Sequence, residues 1–403
     1  MILVINSGSS SLKFSVFTPD VTYVVAQGVA ERLGSEKASL SYKVNIDANG
    51  DLSSTEKFTQ ALGLAAHKEA LDAILSNLSP SIKSSEITAI GHRVVHGGES
   101  FSHSTVVDEH VIEKIKECVP LAPLHNPANL ESIEILREKL PQTPQIAVFD
   151  TAFHQTLPKK SYLYALPYTL YKQHGVRRYG FHGISHQYVS NKCIEQYELS
   201  ENDHSIIVAH LGNGCSLSAV KNRISVDTTM GMTPLEGLVM GTRSGDVDPG
   251  LHEYLSKKLN IDINGITEIL NRKSGLLGIS GLSNDMRELV EANEKGHTLA
   301  ALALEVFCYK VAKSIAALMV SLGRLDALVF TAGVGENSSY VRKNVVDQLG
   351  FLGLVLDDSA NEKNGAQSNG VITNLSDKAS KPLAAVIPTD EEKMIAQECL
   401  AFA

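Results

Sequence analysis

Two arginines lie in glycine-rich segments that could fold as loops around a ligand. Arg93 is part of the segment 91–98, and Arg243 is part of the segment 240–250. A guanidinium group can hold a carboxylate through two parallel hydrogen bonds, or stabilise the oxygens of a phosphoryl group while it is transferred. Either arginine could instead be structural, bonded to carbonyl groups of its own loop. The residue types alone leave both interpretations open.

A histidine and an aspartate are further candidates for this chemistry. His182 lies in the segment 178–183, between a phenylalanine and a glycine, and Asp150 follows the apolar run 145–149. An acid at the end of a strand often faces a cleft, and a loop histidine can donate to a ligand. The simpler alternatives are a buried histidine satisfied by the backbone and an aspartate that caps the next segment.

Three short apolar runs each stop at a cluster of glycine and small polar residues, which is typical of a strand followed by a turn. Glycine lets the backbone approach a ligand closely, and successive turn amides that point into one concavity can bind phosphate. A triphosphate is therefore the first ligand to consider. The runs are 2–5 before 6–11, 206–211 before 212–214, and 328–332 before 333–337.

Motifs for other chemistries are absent or incomplete. No G-x-x-x-x-G-K-[ST] sequence occurs, so a Walker-type loop is excluded. A dinucleotide-binding unit is an alternative for residues 333–335, because Asp357 follows about twenty residues later, but Ser338 replaces the third glycine. Zinc is not favoured, because no H-E-x-x-H glutamate accompanies the histidine pairs with four-residue spacing. These pairs are His92 with His96 and His182 with His186.

The elements that must position these residues alternate between β-type and amphipathic helical runs, which predicts an α/β protein. A chain of 403 residues with 43% apolar residues exceeds one ordinary domain, so two domains are expected. The strand–turn units at 3–8 and 208–214 indicate two duplicated halves, although chance similarity would give the same signal. A long helix is expected from Thr298, as its N-cap, to near Gly323, with Leu302 facing inward.

Composition restricts the partners and the compartment. The formal charge of −9, with scattered basic residues, argues against a nucleic-acid or anionic-membrane surface. The five cysteines are widely spaced and form no C-x-x-C pair, which favours a reducing cytoplasm over a disulfide framework. No uninterrupted apolar run reaches the length of a membrane span, and the N-terminus lacks a basic leader, so we expect a soluble, unexported protein.

Five blocks of sequence together resemble the acetate kinase family. They are 6–14, 91–99, 150–154, 178–183 and 237–250, and the resemblance extends along the whole chain. It implies duplicated ribonuclease H-like (actin-like ATPase) domains of the α/β class that face each other across a nucleotide cleft, in a cytoplasmic homodimer. The first domain would comprise residues 1–150 with about 388–403. The second, residues 151–387, would carry most of the ATP site and the dimer interface.

The resemblance also implies a reaction, the reversible transfer of the γ-phosphoryl group of ATP to acetate, giving acetyl phosphate and ADP. Asn6 and Glu391 would support a site for Mg²⁺, which Mn²⁺ could also occupy, and Lys13 would lie near the nucleotide phosphates. The residues implied to bind ATP are His210, Leu211, Gly212, Asn213, Gly214, Asp285, Met286, Arg287, Gly333, Val334, Gly335, Glu336 and Asn337.

On the acceptor side, the resemblance implies that Arg93 holds the substrate carboxylate and that Asp150 is the essential acid. His182 and Arg243 would stabilise the transition state. A small apolar pocket for the methyl group would be formed by Val95, Leu124, Phe181 and Pro234. Asp390 departs from the family pattern, in which asparagine is usual, and adds negative charge beside the presumed metal residue.

The chemistry of the acceptor limits what these residues can do. A carboxylic acid with a pKa of ~4–5 is already ionised at neutral pH and needs no general base. Because two anions must approach each other, cations and directed donors should dominate the site. Asp150 is therefore expected to orient an arginine or a metal-bound water rather than remove a proton. Transfer is expected to be a direct in-line displacement without a phosphoenzyme.

Two alternative functions remain open from the sequence. One added methylene changes discrimination in an apolar pocket by only ~10–200-fold, so the acceptor could be propionate or another short-chain carboxylate. A non-catalytic, ATP-gated binding module of the same fold is a less favoured alternative.

Overall fold

The computed structural model describes residues 1–45, 52, 55–365, 370–373 and 382–403. The chain divides into two compact units. The first consists of Met1–Gln155 with Asp390–Ala403, and the second of Thr156–Thr389. Within the described parts of the chain, every helix is too short or too polar to span a lipid bilayer.

The first unit is built on one eight-stranded sheet. Its strands are β1 (Ile2–Ser7), β2 (Ser11–Phe17), β3 (Val24–Glu31), β4 (Ala38–Val44), β5 (Phe58–Gly63), β6 (Ala89–Val94), β7 (Thr105–Val106) and β8 (Gln145–Phe149). They lie in the order β5-β4-β3-β2-β1-β6-β8-β7. Strands β1 to β5 form an antiparallel meander, while β6 is parallel to both β1 and β8. The short strand β7 is antiparallel to β8.

Helices cover both faces of this sheet. They are α1 (His67–Leu78), α2 (Glu109–Glu117), α3 (Asn126–Lys139) and a C-terminal helix, Glu391–Cys399. Leu71 of α1 and Leu136 of α3 belong to a buried apolar cluster with Ile90 of β6. Successive residues of a strand point to opposite faces, so the neighbouring Gly91 faces the other side. There a Cβ on Gly91 would lie 2.5 Å from Ile395 Cγ2, which shows how closely the C-terminal helix packs on β6.

The second unit is built on a six-stranded sheet. Its strands are β9 (Ser205–Leu211), β10 (Cys215–Lys221), β11 (Ile224–Thr228), β12 (Ala327–Thr331), β13 (Gly370–Val371) and β14 (Leu383–Val386). They lie in the order β11-β10-β9-β12-β14-β13. Strands β9 to β11 are antiparallel, β12 is parallel to β9 and β14, and β13 is antiparallel to β14.

Eleven helices are described in the second unit. The described residues of both units also include four short 3-10 helices. The helices are α4 (Lys159–Tyr162), α5 (Tyr168–His174), α6 (Gly183–Gln196), α7 (Leu251–Leu259), α8 (Ile263–Arg272), α9 (Gly275–Ser280), α10 (Met286–Glu294), α11 (Thr298–Leu322), α12 (Ala332–Asn337), α13 (Ser339–Val346) and α14 (Asp358–Lys363). The 3-10 helices are Ser84–Glu86, Val119–Leu121, Ala152–Thr156 and Asp347–Leu352.

The two sheets share an ordered set of five strands. In the first unit this set is β3-β2-β1-β6-β8, and in the second it is β11-β10-β9-β12-β14. In each set, an antiparallel meander of three strands is followed by two strands parallel to the first. The predicted α/β class with duplicated actin-like domains is therefore confirmed.

Local predictions around α11 and α12 need correction. The N-cap of α11 is His297, whose ring Nδ1 accepts from Ala300 N at 3.1 Å, rather than the predicted Thr298. Leu302 is 45% exposed, not inward, whereas Gly323 ends the helix with a φ of 79° as predicted. The third predicted turn, at residues 333–337, instead lies within α12.

The close packing at Gly91 predicts a loss of stability on substitution. Gly91→Ala should lower the free energy of unfolding by about 1–3 kcal/mol, because the added methyl overlaps Ile395 and also lies 2.7 Å from Cys399 Sγ. Urea denaturation measures this difference. Gly350→Ala is the control, since its Cβ would have no neighbouring heavy atom within 4 Å. Equal unfolding midpoints for the two variants would contradict the packing argument.

Candidate active site

In the first unit, three predicted site residues meet where the parallel strands β1, β6 and β8 end. Asn6 and Arg93 lie on β1 and β6, and Asp150 directly follows β8. Arg93 donates from Nε to Asp150 Oδ1 at 3.1 Å and from Nη2 to Oδ2 at 2.6 Å. Its Nη1 donates to Asn6 Oδ1 at 3.2 Å. Asp150 is 1% exposed, so this two-pronged pair neutralises a buried carboxylate.

Glu391, the first residue of the C-terminal helix, adds a second carboxylate to this group. Its Oε2 lies 3.6 Å from Arg93 Nε. Burial raises the pKa of Glu391 to about 7, with Arg93 and Lys13 opposing the rise and Asp150 adding to it. Burial alone lowers the pKa of Arg93, but Asp150 and Glu391 together raise it above its ordinary value. The guanidinium therefore stays charged beside the two carboxyl groups.

Lys13 and Asp390 lie beside this group. Lys13 is exposed on β2 and is paired in register with Asn6. Asp390 caps the C-terminal helix, and its side chain accepts from Lys393 N at 2.9 Å. Burial raises the pKa of Asp390 above its ordinary value. Lys13 and Asp390 both line a cavity of about 440 Å³ in the first unit.

Two asparagines of α3, which the sequence analysis missed, hold the loop that follows β6. Asn129 accepts from Val95 N at 3.2 Å and donates to the Ser7 carbonyl at 2.8 Å, so it ties the end of β1 to the end of β6. Asn126 accepts from His96 N at 3.1 Å and donates to the His96 carbonyl at 2.9 Å. Both asparagines are at most 2% exposed. The sequence did contain a signal for them, because two asparagines three residues apart in a helix lie on the same face.

In the second unit, His182 belongs to a group of histidine and serine side chains. It has a φ of 56° and lies immediately before α6. Its Nδ1 is 2.9 Å from Ser216 Oγ, and His186 Nε2 is 2.8 Å from the same oxygen. The ring of His182 stacks on that of His210 with centroids 4.1 Å apart. Ser185 Oγ in turn contacts His210 Nδ1 at 2.8 Å.

The histidine pairs with four-residue spacing contact other side chains of the chain. The pair His182 and His186 meets at a serine hydroxyl, and the described residues contain no cluster of three or more His, Cys, Asp or Glu suited to a metal. His92 is fully buried against Gln145 Oε1 at 2.7 Å, and burial lowers its pKa to about 4. His92 is therefore a structural, neutral imidazole.

Arg243 and His182 both lie next to Gly214. A Cβ on Gly214 would be 3.5 Å from Arg243 Nη1 and 3.6 Å from His182 Nε2. Arg243 Nη1 donates to the Pro234 carbonyl at 3.1 Å, and Met240 Sδ lies 3.9 Å away. In the described part of the chain no carboxylate pairs with Arg243, and burial lowers its pKa. A guanidinium held in this way favours an incoming anion.

A cavity of about 820 Å³ in the second unit gathers many of the residues predicted to bind ATP. The adjacent parallel strands β9 and β12 place the segments that follow them at one edge of the sheet. Predicted residues that line the cavity are Gly212, Asn213, Asp285, Met286, Arg287, Gly333, Val334 and Asn337. Lining residues that sequence reasoning missed are Leu276, Asn284, Val290, Glu291, Glu294, Ser338, Ser339 and Tyr340.

The other residues predicted to bind ATP do not line this cavity. They are His210, Leu211, Gly214, Gly335 and Glu336. Leu211 is fully buried, and His210 belongs to the histidine and serine group. Glu336 Oε1 accepts from Ala332 N at 2.8 Å and from Thr389 N at 3.1 Å, so its carboxylate supports the backbone around α12.

The four residues predicted for the methyl pocket are divided between the units. Val95 and Leu124 belong to the first unit, and Phe181 and Pro234 to the second. Val95 and Phe181 are 6% and 1% exposed, whereas Leu124 is 47% exposed. Within either unit, the structure therefore brings together only part of the predicted pocket.

The amino-acid sequence is similar to those of a known enzyme family. Residues 1–397 match the model of the acetokinase family. The acetate kinase of Ectopseudomonas mendocina is 50% identical over 401 residues, covering 100% of this chain and 98% of the relative. The acetate kinase of Deinococcus radiodurans is 50% identical over 396 residues, with 98% and 96% coverage.

Two solved structures agree closely with this one. The acetate kinase of Porphyromonas gingivalis has a TM-score of 0.90 at 44% identity, covering 99% of this chain and 98% of that chain. A propionate kinase from Francisella tularensis subsp. tularensis SCHU S4 has a TM-score of 0.90 at 43% identity, with 98% coverage of both chains. The chain therefore belongs to the acetokinase family, and it is a phosphotransferase enzyme.

Proposed function

We propose that this enzyme transfers the γ-phosphoryl group of ATP reversibly to acetate, giving acetyl phosphate and ADP. The observation that carries the proposal is the pair of arginines suited to anions. Arg93 is held rigidly by Asp150, and Arg243 has no carboxylate partner among the described residues. The relatives named as acetate kinases support acetate as acceptor. The Francisella propionate kinase supports propionate as the second candidate.

Arg93 binds the acceptor carboxylate in this proposal. Its Nε and Nη2 face Asp150, and each terminal nitrogen carries a second hydrogen that is available to a substrate oxygen. Asp150 fixes the plane of the guanidinium, and it removes no proton because the acceptor is already ionised. Val95, Leu124, Phe181 and Pro234 surround the methyl group.

His182 and Arg243 stabilise the migrating phosphoryl group. Both side chains lie next to Gly214, where they can contact the same phosphoryl group. The ring of His182 is oriented through Nδ1 by Ser216, so Nε2 is directed to the side of Arg243. Positive charge and a directed donor offset the repulsion between acceptor and phosphate, so a direct in-line displacement suffices.

The nucleotide and its metal use residues of both units. The 820 Å³ cavity is large enough for the adenosine part of ATP, and Lys13 supplies positive charge for the phosphates. Asn6 and Glu391 offer the oxygen donors that Mg²⁺ or Mn²⁺ prefers, and Mg²⁺ needs only one or two carboxylates when phosphates and water complete its shell. Bound Mg²⁺ would neutralise charge on the phosphate oxygens.

The proposal includes two domains, a homodimer and a cytoplasmic location. The compact units change at Gln155 and Asp390, near the domain limits of 150 and 388 expected from the sequence. Five free, buried cysteines support a reducing compartment.

Exposed apolar side chains along α11 support an interface with a second copy of the chain. They are Leu299, Leu302, Tyr309 and Val320.

A charged residue on α11 should weaken this dimer. Leu302→Glu places a carboxylate in an apolar contact, so sedimentation should show dissociation to monomers at concentrations at which the wild type is dimeric. Leu259→Glu is the control, because Leu259 is similarly exposed on α7. A dimer that is unchanged by Leu302→Glu would contradict the interface.

Trapping the product tests the proposed reaction. With ATP, acetate and hydroxylamine, the enzyme should form acyl hydroxamate, because only an activated acyl group reacts. ATP-dependent conformational change without hydroxamate would indicate a binding module instead. A phosphoprotein competent to transfer its phosphate to acetate would contradict direct displacement.

Removal of the Arg243 guanidinium should slow the chemical step. Arg243→Ala is expected to lower kcat by about 10²–10³-fold, the usual cost of one transition-state donor, with little change in KM for ATP. Initial rates at saturating acetate measure the effect. Arg223→Ala is the control, since Arg223 pairs with Glu201 at the surface. A kcat equal to that of the control would refute the role of Arg243.

The raised pKa of Asp390 predicts that the free energy of unfolding depends on pH. Because its pKa is raised in the folded protein, the ionised form costs stability above the ordinary pKa of ~3.9. Asp390→Asn should therefore gain stability over wild type as pH rises from ~4 through the raised pKa. Asp390→Ala is the comparison. It also removes the N-cap of the C-terminal helix, which should lower the free energy of unfolding by about 1 kcal/mol at every pH. Parallel pH profiles of unfolding for wild type and Asp390→Asn would contradict this.

A further inference from the structure

We infer that Tyr164, Arg178 and Glu236 are positioning residues that set the place of the Pro234 carbonyl and, through it, the guanidinium of Arg243. The inference rests on the proposed function, in which Arg243 stabilises the migrating phosphoryl group. The three side chains form a connected network in the second unit, and the segment they hold is named the Pro234 loop, residues 228–236.

Arg178 holds the first part of the Pro234 loop through the backbone. Its Nη1 lies 2.9 Å from the carbonyl oxygen of Thr228, 2.8 Å from that of Thr229 and 3.0 Å from that of Met230. Three consecutive carbonyls thus converge on one guanidinium nitrogen. Its Nη2 forms an ion pair with Glu236, the last residue of the loop. One arginine therefore connects the beginning of the loop to its end.

Tyr164 completes the network from another segment. Its hydroxyl donates to Glu236 Oε2 and accepts from Met232 N, the latter at 2.9 Å. Burial, together with the charge of Glu236, raises the pKa of Tyr164 above its ordinary value, so the phenol remains a donor. A Cβ at position 231 would overlap Glu236 Oε2 and Tyr164 Oη, so Gly231 lets the loop pass close to both groups.

The part of the loop between these attachments carries Pro234. Backbone positions 228–230 and 232 and the side chain of Glu236 are fixed, which confines residues 233–235. The Pro234 carbonyl accepts from Arg243 Nη1 at 3.1 Å. Apart from Met240 Sδ at 3.9 Å, Arg243 has no other side-chain hydrogen bond in the described part of the structure. A displaced loop would therefore displace the guanidinium.

The network is better suited to positioning than to holding the fold together. The side chains of Arg178 and Glu236 are 18% and 29% exposed, so the ion pair is reached by solvent. Solvent screens such a pair, which reduces its net contribution to stability. A displacement of about 1 Å at a reacting centre, by contrast, can cost 10²-fold in rate.

Conservative variants test the inference. Tyr164→Phe and Glu236→Gln should each lower kcat with acetate by about tenfold or more, since Arg243 loses its fixed position. The ratio of kcat/KM for propionate to that for acetate should also change, because Pro234 is one of the four residues proposed to contact the methyl group. KM for ATP should stay at the wild-type value, as none of the three residues lines the nucleotide cavity. Tyr254→Phe is the control, with a 61% exposed tyrosine on α7.

Two outcomes would overturn the inference. Wild-type kcat and an unchanged propionate-to-acetate ratio in both variants would show that the network does not position Arg243. A fall in kcat accompanied by a raised KM for ATP and a lowered Tm would show a general structural role. Failure of the wild-type enzyme to form acyl hydroxamate would instead reject the proposed function, so the two failures are distinguishable.

Discussion

The buried ion pair between Arg93 and Asp150 is the interaction on which the first unit depends. Removal of one partner from such a pair leaves an uncompensated charge, which costs about 3–5 kcal/mol. The pair exists because β6 and β8 are parallel neighbours and their carboxyl ends meet at one edge of the sheet. Asn6 from β1 and Glu391 from the C-terminal helix complete the group. The C-terminal helix must therefore return to this sheet, and Gly91 permits its close approach.

In the second unit, Arg243 lacks the kind of carboxylate partner that Arg93 has among the described residues. Arg243 is desolvated but has only a carbonyl and a thioether as side-chain partners in the described part of the chain. This arrangement costs stability in the absence of a ligand, and an anionic ligand would offset that cost. His182, which lies next to Gly214 as Arg243 does, is oriented by Ser216. The second unit therefore has positive charge and a directed donor here. The electrostatic environments of the two arginines therefore differ, with a paired guanidinium in the first unit and one without a carboxylate partner among the described residues in the second.

Local signals explain which predictions were confirmed. The alternation of β-type and amphipathic helical runs predicted the α/β class, because strand and helix periodicity are local properties. The duplication was only indicated by two short strand–turn units, and the duplicated actin-like fold was implied by the resemblance to the acetate kinase family. The strand–turn signal was wrong at residues 333–337, where Ala332 adopts a φ of 63° and the chain continues as α12. The inward placement of Leu302 was also wrong, because helical spacing does not determine which side of a largely apolar helix meets the core. The dinucleotide alternative is excluded by the acetokinase family assignment.

The sequence by itself determined the residue types with anion chemistry and the strand end that carries Asp150. Arg93, His182 and Arg243 were expected in loops, but Arg93 lies on β6. Only the tertiary structure decided which arginine has a carboxylate partner. It also placed Asn129 between β1 and β6, directed the Glu336 carboxylate to the backbone, and brought Tyr164 to the Pro234 loop. These contacts join residues far apart in the chain, and burial and hydrogen-bond partners follow from long-range packing that no local pattern encodes.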